Sequence, residues 1–405
     1  MASFDEYISA GVRDGILPGA ILYAIDKSGK FNYSNILSPN SPSHIAQLKP
    51  SSTLWLASAT KLITTIGILQ LVERGVVTLD EDVSSHIPIL ASQQVLTGFP
   101  SPDRKAQPVF APRANPITLR LLLTHAAGTT YNFLSPDIQR WQSLHKIPPL
   151  SGANVDERFA FPLLFQPGEG FSYGSAVDWA GRVLESLTGT SLQAYLDRHV
   201  FAPLSLTSFT FRESRVLDDG SLWPLSVRDL AAGAARPYTG PHLNAGLDPG
   251  AALGGQGLYG RLDEYLEILR SLLVDDGRLL RPATAAHMFR PQLGGAARAA
   301  LDRAMEDPSW AVGDFPATGE YDWGLGGLLI DGHAHAHRRK GALMWSGAAN
   351  IFWWIDREAG VAGLFGTQIM PAAEPVTEQY IKAFEDEMYS RVEALTSESK
   401  LKTRL

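Results

Sequence analysis

Apolar and polar positions change period several times along the chain, and each change predicts an element. Ala20-Ile21-Leu22-Tyr23-Ala24-Ile25 is followed by Asp26-Lys27-Ser28-Gly29 and then by Phe31 and Tyr33 in alternation, so residues 18–36 read as a hairpin. From Ser58 to Arg74, Leu62, Ile63, Ile66, Leu69 and Val72 recur at helical spacing, with Gly75 where a left-handed cap belongs. Residues 117–125, 176–188 and 191–200 carry further helical patterns punctuated by Pro and Gly, and helix returns at 262–274. Residues 323–330, 343–355 and 361–369 read as strands, the last two joined by the turn Asp356-Arg357-Glu358-Ala359-Gly360. Between 93 and 116 the chain is rich in Pro, Ser, Gln and Arg, which predicts a surface loop or insertion.

Strands at both ends with helices between them predict an α/β (α+β) fold. The expected architecture is a mixed antiparallel sheet flanked by helices and built from both termini (1–92 and 250–405), with an inserted, mainly helical lobe (93–249). At 405 residues the chain exceeds what one core normally organises, which agrees with two lobes and a cleft. A formal charge of -7 gives no broad positive field, so neither nucleic acid nor an anionic membrane is an expected partner. No apolar run approaches a membrane span. The opening Met-Ala-Ser-Phe-Asp-Glu-Tyr has acids where a signal peptide has bases, so a cytoplasmic location is expected. The absence of Cys removes disulfides, thiolate metal sites and a Cys nucleophile.

The chemistry begins at Ser58-Ala59-Thr60-Lys61, which opens the first long helix after the apolar approach Leu54-Trp55-Leu56-Ala57. Residues three apart share a helix face, so the Ser58 hydroxyl and the Lys61 amine can meet. Free N–H groups at the helix start favour developing negative charge on an incoming carbonyl oxygen. Burial disfavours the charged form of an amine, which is what a base for a weak hydroxyl nucleophile requires. A lone Ser-x-x-Lys is more often an N-cap followed by a solvated lysine, so the motif needs support. Tyr173, on the loop Phe171-Ser172-Tyr173-Gly174-Ser175 after Pro167-Gly168, is placed to project into a cleft and relay a proton, although a single tyrosine is more often a packing residue. On the strand Met344-Trp345-Ser346-Gly347-Ala348, Gly347 permits close approach of a substrate, and the Ala348 N–H can serve as a second oxyanion donor beside that of Ser58.

At these residues the sequence resembles the serine β-lactamase and penicillin-binding superfamily, for which Ser-x-x-Lys is a signature. Within it the chain is similar to the class C-like branch, which includes family-VIII carboxylesterases and fungal lovastatin-pathway acyltransferases. The likeness runs over nearly the whole chain. It is carried also by Leu79-Asp80-Glu81-Asp82-Val83, Ile117-Thr118-Leu119-Arg120, Leu123-Thr124-His125, Phe201-Ala202-Pro203-Leu204 and Gly254-Gly255-Gln256-Gly257-Leu258. The resemblance implies Ser58 as nucleophile, Lys61 and Tyr173 sharing base and acid work, and Trp345-Ser346-Gly347 in the place of the Lys-Thr-Gly strand motif, contacting substrate. It also implies that Tyr131, after His125-Ala126-Ala127-Gly128, lines the acyl pocket. Two departures matter: Trp345 removes the strand lysine that holds a β-lactam carboxylate, and Ser175 stands where an Asn is usual two positions after the motif tyrosine. An uncharged, bulky ester therefore fits better than penicillin.

Gly255-Gln256-Gly257-Leu258-Tyr259-Gly260 matches G-x-G-x-x-G, but no predicted strand precedes it and Asp263 comes too early for a ribose-binding acid, which argues against a dinucleotide site. His333, His335 and His337 alternate and would share one strand face; a solvated hairpin edge continued by Arg338-Arg339-Lys340 is preferred to a metal site. No G-x-S-x-G is present, so His125 need not belong to a triad. No cofactor and no metal is expected. The expected function is hydrolysis of a carboxylic ester, such as the acyl side chain of a statin-like polyketide, through acyl-Ser58. The alternatives are acyl transfer from a thioester to a polyketide alcohol, with an acyl-carrier protein as donor partner, and a non-catalytic scaffold.

Overall fold

The computed structural model describes residues 3–39, 47–103, 105–241, 244 and 246–402. Its centre is a seven-stranded sheet of β1 (Ala20–Asp26), β2 (Asn32–Leu37), β3 (Tyr321–Trp323), β4 (Leu328–Ile330), β5 (Leu343–Gly347), β6 (Ile351–Asp356) and β7 (Val361–Gly366). The spatial order is β2-β1-β7-β6-β5-β4-β3, and every pairing is antiparallel. The two ends of the chain join where Ile21 faces Gly366 across β1 and β7. This is the α/β fold expected from the pattern, with a sheet drawn from both ends.

Five helices frame the site: α1 (Phe4–Arg13), α2 (Thr60–Glu73), α3 (Ala176–Thr188), α4 (Leu262–Val274) and α5 (Pro375–Lys402). Successive strand residues point to opposite faces. Phe365 of β7 meets Phe384 of α5, whereas a Cβ at the next residue, Gly366, would strike Leu262 of α4. The two helices therefore cover opposite faces of the sheet. Helix α2 is buried at every position from Thr60 to Leu71, as a helix with no polar face must be. It packs against α3, where Gly181 brings the two backbones close enough for Thr64 to lie beneath it.

Several predicted boundaries are corrected. The long helix does not begin at Ser58: a 3₁₀ turn spans Ala57–Ala59 and the α-helix starts at Thr60. The predicted strands 323–330 and 343–355 are each a pair of strands. Gly324, Gly326 and Gly327 fold the first, and Ala348-Ala349-Asn350, with Asn350 at φ 61°, folds the second. The turn signal in each run, Gly324-Leu325-Gly326-Gly327 and Asn350, is short and flanked on both sides by apolar residues, so the runs read as continuous. The segment 361–369 ends as a sheet strand at Gly366, and Ile369–Met370 pairs instead in parallel with Ser226–Arg228. The pattern at 117–125 yields only Leu119–Leu123, and that at 191–200 passes from α-helix into a π-helical turn at Asp197–Phe201. The predicted loop 93–116 contains a short hairpin, Val95–Gly98 with Val109–Ala111. The histidine segment is not a strand, and Arg338 is buried against Glu385 rather than solvated. Helices α1 and α5 were not anticipated. No helix among the described residues is long and apolar enough to cross a membrane.

Candidate active site

Ser58 sits in the 3₁₀ turn that leads β-paired Leu54–Trp55 into α2. That approach is held by the loop after Gly254: Leu54 and Trp55 pair with Gly260 and Tyr259, and the Leu56 N–H donates to the Leu258 carbonyl at 2.9 Å. The residue before Ser58, Ala57, is at φ 47°, a left-handed conformation unusual for a residue with a Cβ. The Thr60 hydroxyl bridges this turn, donating to the Ala57 carbonyl at 2.6 Å and accepting the Leu258 N–H at 3.2 Å. The turn is thus fixed from both sides.

Lys61, only 2 % exposed, reaches the other wall of the cleft. Its Nζ lies 3.2 Å from Ser58 Oγ, 3.2 Å from the Tyr131 hydroxyl and 2.7 Å from the Gly255 carbonyl. The Tyr131 hydroxyl donates in turn to Asp178 Oδ2 at 2.9 Å, and Asp178 Oδ1 accepts the Gly255 N–H at 2.9 Å. Burial pushes the Asp178 carboxyl up to about 6, with Lys61, the Gly255 N–H and Tyr131 each pulling it back. Burial, followed by the Asp178 charge, drives the Tyr131 phenol well above its ordinary range, so Tyr131 keeps its proton.

This network orients Lys61 by elimination. The Gly255 carbonyl has no proton to give, and the Tyr131 proton is committed to Asp178, so both oxygens can only accept from the amine. With Nζ donating to Gly255 and Tyr131, its remaining position faces Ser58.

Tyr173 closes the third side. Its ring centroid lies 4.7 Å from Lys61 Nζ, and its hydroxyl accepts the Trp345 indole N–H at 2.9 Å. Gly174 is required here because a Cβ would collide with the Thr130–Tyr131 backbone on which the loop rests. His125 packs beside Tyr173, with ring centroids 4.6 Å apart; burial and the Lys61 charge hold its imidazole well below the usual range. It accepts the Gly174 N–H at 3.4 Å and acts as support for the loop. Ser175 turns away, donating to the Thr130 carbonyl at 3.0 Å.

Trp345, Ser346 and Gly347 lie on β5 at the cleft, all buried. A Cβ on Gly347 would overlap the Leu56 carbonyl oxygen, so the end of β5 presses against the nucleophile turn and carries Ala348 to it. Trp345 is almost wholly covered. It packs against Tyr173, Trp310 and Trp323 with centroids 5.0, 5.6 and 4.7 Å away, which leaves it less free surface for substrate than its position suggested. Tyr131 likewise is buried, with its ring stacked on Phe133, whose side is half exposed. The structure therefore gathers Ser58, Lys61, Tyr131, Tyr173, Trp345, Ser346, Gly347 and Ala348 at one cleft.

Sequence reasoning missed Asp178, the Gly255 carbonyl and Trp310. The only signal for Asp178 was an acid on the otherwise apolar inner face of α3, and for Gly255 a glycine-rich run assigned to no function. No group of three or more His, Cys, Asp or Glu able to hold a metal ion occurs among the described residues.

Comparison with known proteins places this geometry. The chain is 35% identical to a lovastatin esterase of Penicillium rubens over 96% of its own length and 98% of the relative's. It is 34% identical to a monacolin J acid methylbutanoyltransferase of Aspergillus terreus, covering 94% of this chain and 93% of that one. Among solved structures, the LovD6 mutant of simvastatin synthase from Aspergillus terreus superimposes with a TM-score of 0.87 at 32% identity, over 96% of this chain and 95% of the other. The Beta-lactamase family model matches residues 4–385, nearly the entire sheet-and-helix frame that carries Ser58 and Lys61, and the chain belongs to that family.

Proposed function

We propose that this chain is a serine esterase that cleaves the acyl side chain of a statin-like polyketide through an acyl-Ser58 intermediate. The reading rests on one observation above the others: a buried lysine amine 3.2 Å from a serine hydroxyl, with its remaining contacts all to acceptors. Ser58 Oγ gives its proton to Lys61 and attacks the ester carbonyl. The developing oxyanion is met by the N–H groups of Ser58 and Ala348. Tyr173, whose oxygen already accepts from Trp345, donates its own proton to the departing alkoxide. Deacylation runs in reverse, with water in place of the alcohol. Tyr131 and Asp178 hold Lys61 in place and, once it is protonated, face it with a carboxylate one hydrogen bond away. Tyr131, Trp345, Ser346 and Gly347, almost wholly covered by their neighbours, back the wall against which the substrate rests.

The substrate class is supported by the lovastatin esterase, 35% identical over nearly the full length of both chains, and by the uncharged aromatic wall that replaces a strand lysine. A second reading keeps the acyl-enzyme and passes the acyl group to a polyketide alcohol, with an acyl-carrier protein delivering the thioester; the methylbutanoyltransferase supports it. Supplying a statin ester in water, and separately a short-chain thioester with the decalin alcohol, distinguishes the two. The esterase reading predicts free acid as the dominant product in both reactions; predominant transfer to the alcohol overturns it in favour of the second. We also propose that residues 93–249 form the inserted helical lobe bounding the cleft, against the sheet unit of 1–92 and 250–405.

A further inference from the structure

The C-terminal end of α2, opposite Ser58, opens onto a groove of about 290 Å³ lined by Gln70, Glu73, Arg74, Arg198, His199 and Arg281. Fourteen helical residues at 1.5 Å each separate it from the nucleophile by about 20 Å, so it is no part of the catalytic cleft. The groove is strongly cationic in a chain of net charge -7. Arg278, also on its rim, is paired with Asp276 at 2.6 Å. By contrast Arg74, Arg198 and Arg281 have no carboxylate within ion-pair distance among the described residues. Glu73 is the one acid in the lining, and it accepts the Arg281 backbone N–H at 2.7 Å.

The walls are built rather than incidental. Buried Gln70 donates from Nε2 to the His199 carbonyl at 2.8 Å and to the Leu279 carbonyl at 2.9 Å, stapling both sides of the groove to α2. Arg198 and His199 project from the π-helical turn at Asp197–Phe201, a local irregularity that commonly marks functional positions. His199 Nδ1 lies 3.1 Å from an Arg74 guanidinium nitrogen and fixes that side chain. Three guanidiniums around one groove, with Glu73 as the one acid in its lining, repel one another, and a multivalent anion removes that cost.

We propose that this groove binds a compact phosphate-type polyanion, a pyrophosphate or the phosphate end of a small phosphorylated molecule. The planar, forked donors of arginine match phosphate oxygens, and the groove is too small for more than one such group with its immediate substituent. Calorimetric titration of inorganic pyrophosphate into the full chain at low ionic strength tests it. The expected result is one saturable site, weakened about tenfold or more by each of Arg198→Ala and Arg281→Ala, with aryl-ester hydrolysis unchanged in both variants. Both side chains are exposed, so the fold survives their removal. Absence of saturable binding, or equal affinity in the parent and the double variant, overturns the proposal.

Discussion

Asp178 shows most clearly how single side chains set the chemistry. It is a fully buried carboxylate whose affinity for a proton is raised, to a pKa of about 6, by the same burial that makes it a strong partner for the Tyr131–Lys61 pair. Ionised Asp178 keeps the Tyr131 proton turned away from Lys61, so catalysis should fall as pH drops through about 6. Asp178→Asn should lower kcat by about 10- to 100-fold and flatten that acid limb, with little change in KM; a parent-like pH–rate profile in the variant would contradict the role. The effect on stability has the opposite sign. A carboxyl whose folded pKa lies above its unfolded value of about 3.8 favours the folded state below that value and loses this contribution as pH rises through about 6. At pH 7 the buried charge is therefore a burden, and thermal melting of Asp178→Asn at pH 7 should be no lower than that of the parent. Ser58, Lys61 and Tyr173 were legible in the sequence because each sits in a short motif with a local mechanism. Asp178 and Gly255 were not, because their meaning lies in contacts between segments 77 residues apart.

Elements matter here chiefly through where two backbones touch. The Gly254–Gly260 run, whose G-x-G-x-x-G match the sequence reading set aside, closes against α2 and α3: Thr64 donates to the Gly254 carbonyl at 2.7 Å, and Gly255 supplies both an acceptor to Lys61 and a donor to Asp178. A Cβ on Gly255 would meet Asp178 Oδ2 and come within 2.9 Å of the Tyr131 oxygen. Gly255→Ala should therefore spread the Asp178–Tyr131–Lys61 set and reduce kcat about 100-fold, the scale of a displacement of one ångström at a catalytic group. Steady-state hydrolysis of a short-chain aryl ester measures it, and an unimpaired kcat would show that the spacing is not critical. Helices α2, α3 and α4 were readable from periodicity, α3 and α4 with their exact limits. The paired strands at 323–330 and 343–355 were not, since both faces of the central sheet are covered and the short glycine and Ala-Ala-Asn turns barely interrupt the apolar runs. Helix α5 escaped notice because its apolar residues are spread among many charges, with Tyr380, Ile381, Phe384, Met388, Tyr389 and Val392 marking the buried stripe.

At the scale of the molecule, α5 locks the sheet that carries β5 to the nucleophile turn. Two buried ion pairs hold this end of the chain: Arg338, in the loop before β5, to Glu385 of α5 through bonds of 2.8 and 2.6 Å, and Arg228, on the short strand Ser226–Arg228, to Glu374 just before α5 at 2.6 Å. Removing one partner strands a buried guanidinium, so Glu385→Ala should cost about 3–5 kcal/mol in urea unfolding. This pair lies on the α5 side of the sheet, opposite the α4 side from which Tyr265 reaches the Ala59 carbonyl at 2.9 Å, so activity per folded molecule should be retained; a loss of activity without a loss of stability would contradict the assignment of α5 to structure alone. The proposed function turns on one act, transfer of an acyl group to Ser58. Intact-protein mass spectrometry after brief exposure to a statin ester or a short-chain thioester measures that act directly. The account predicts a single adduct with the mass of the acyl group, mapped to Ser58 and absent from Ser58→Ala; no adduct, or one that persists in the Ser58→Ala protein, would contradict it.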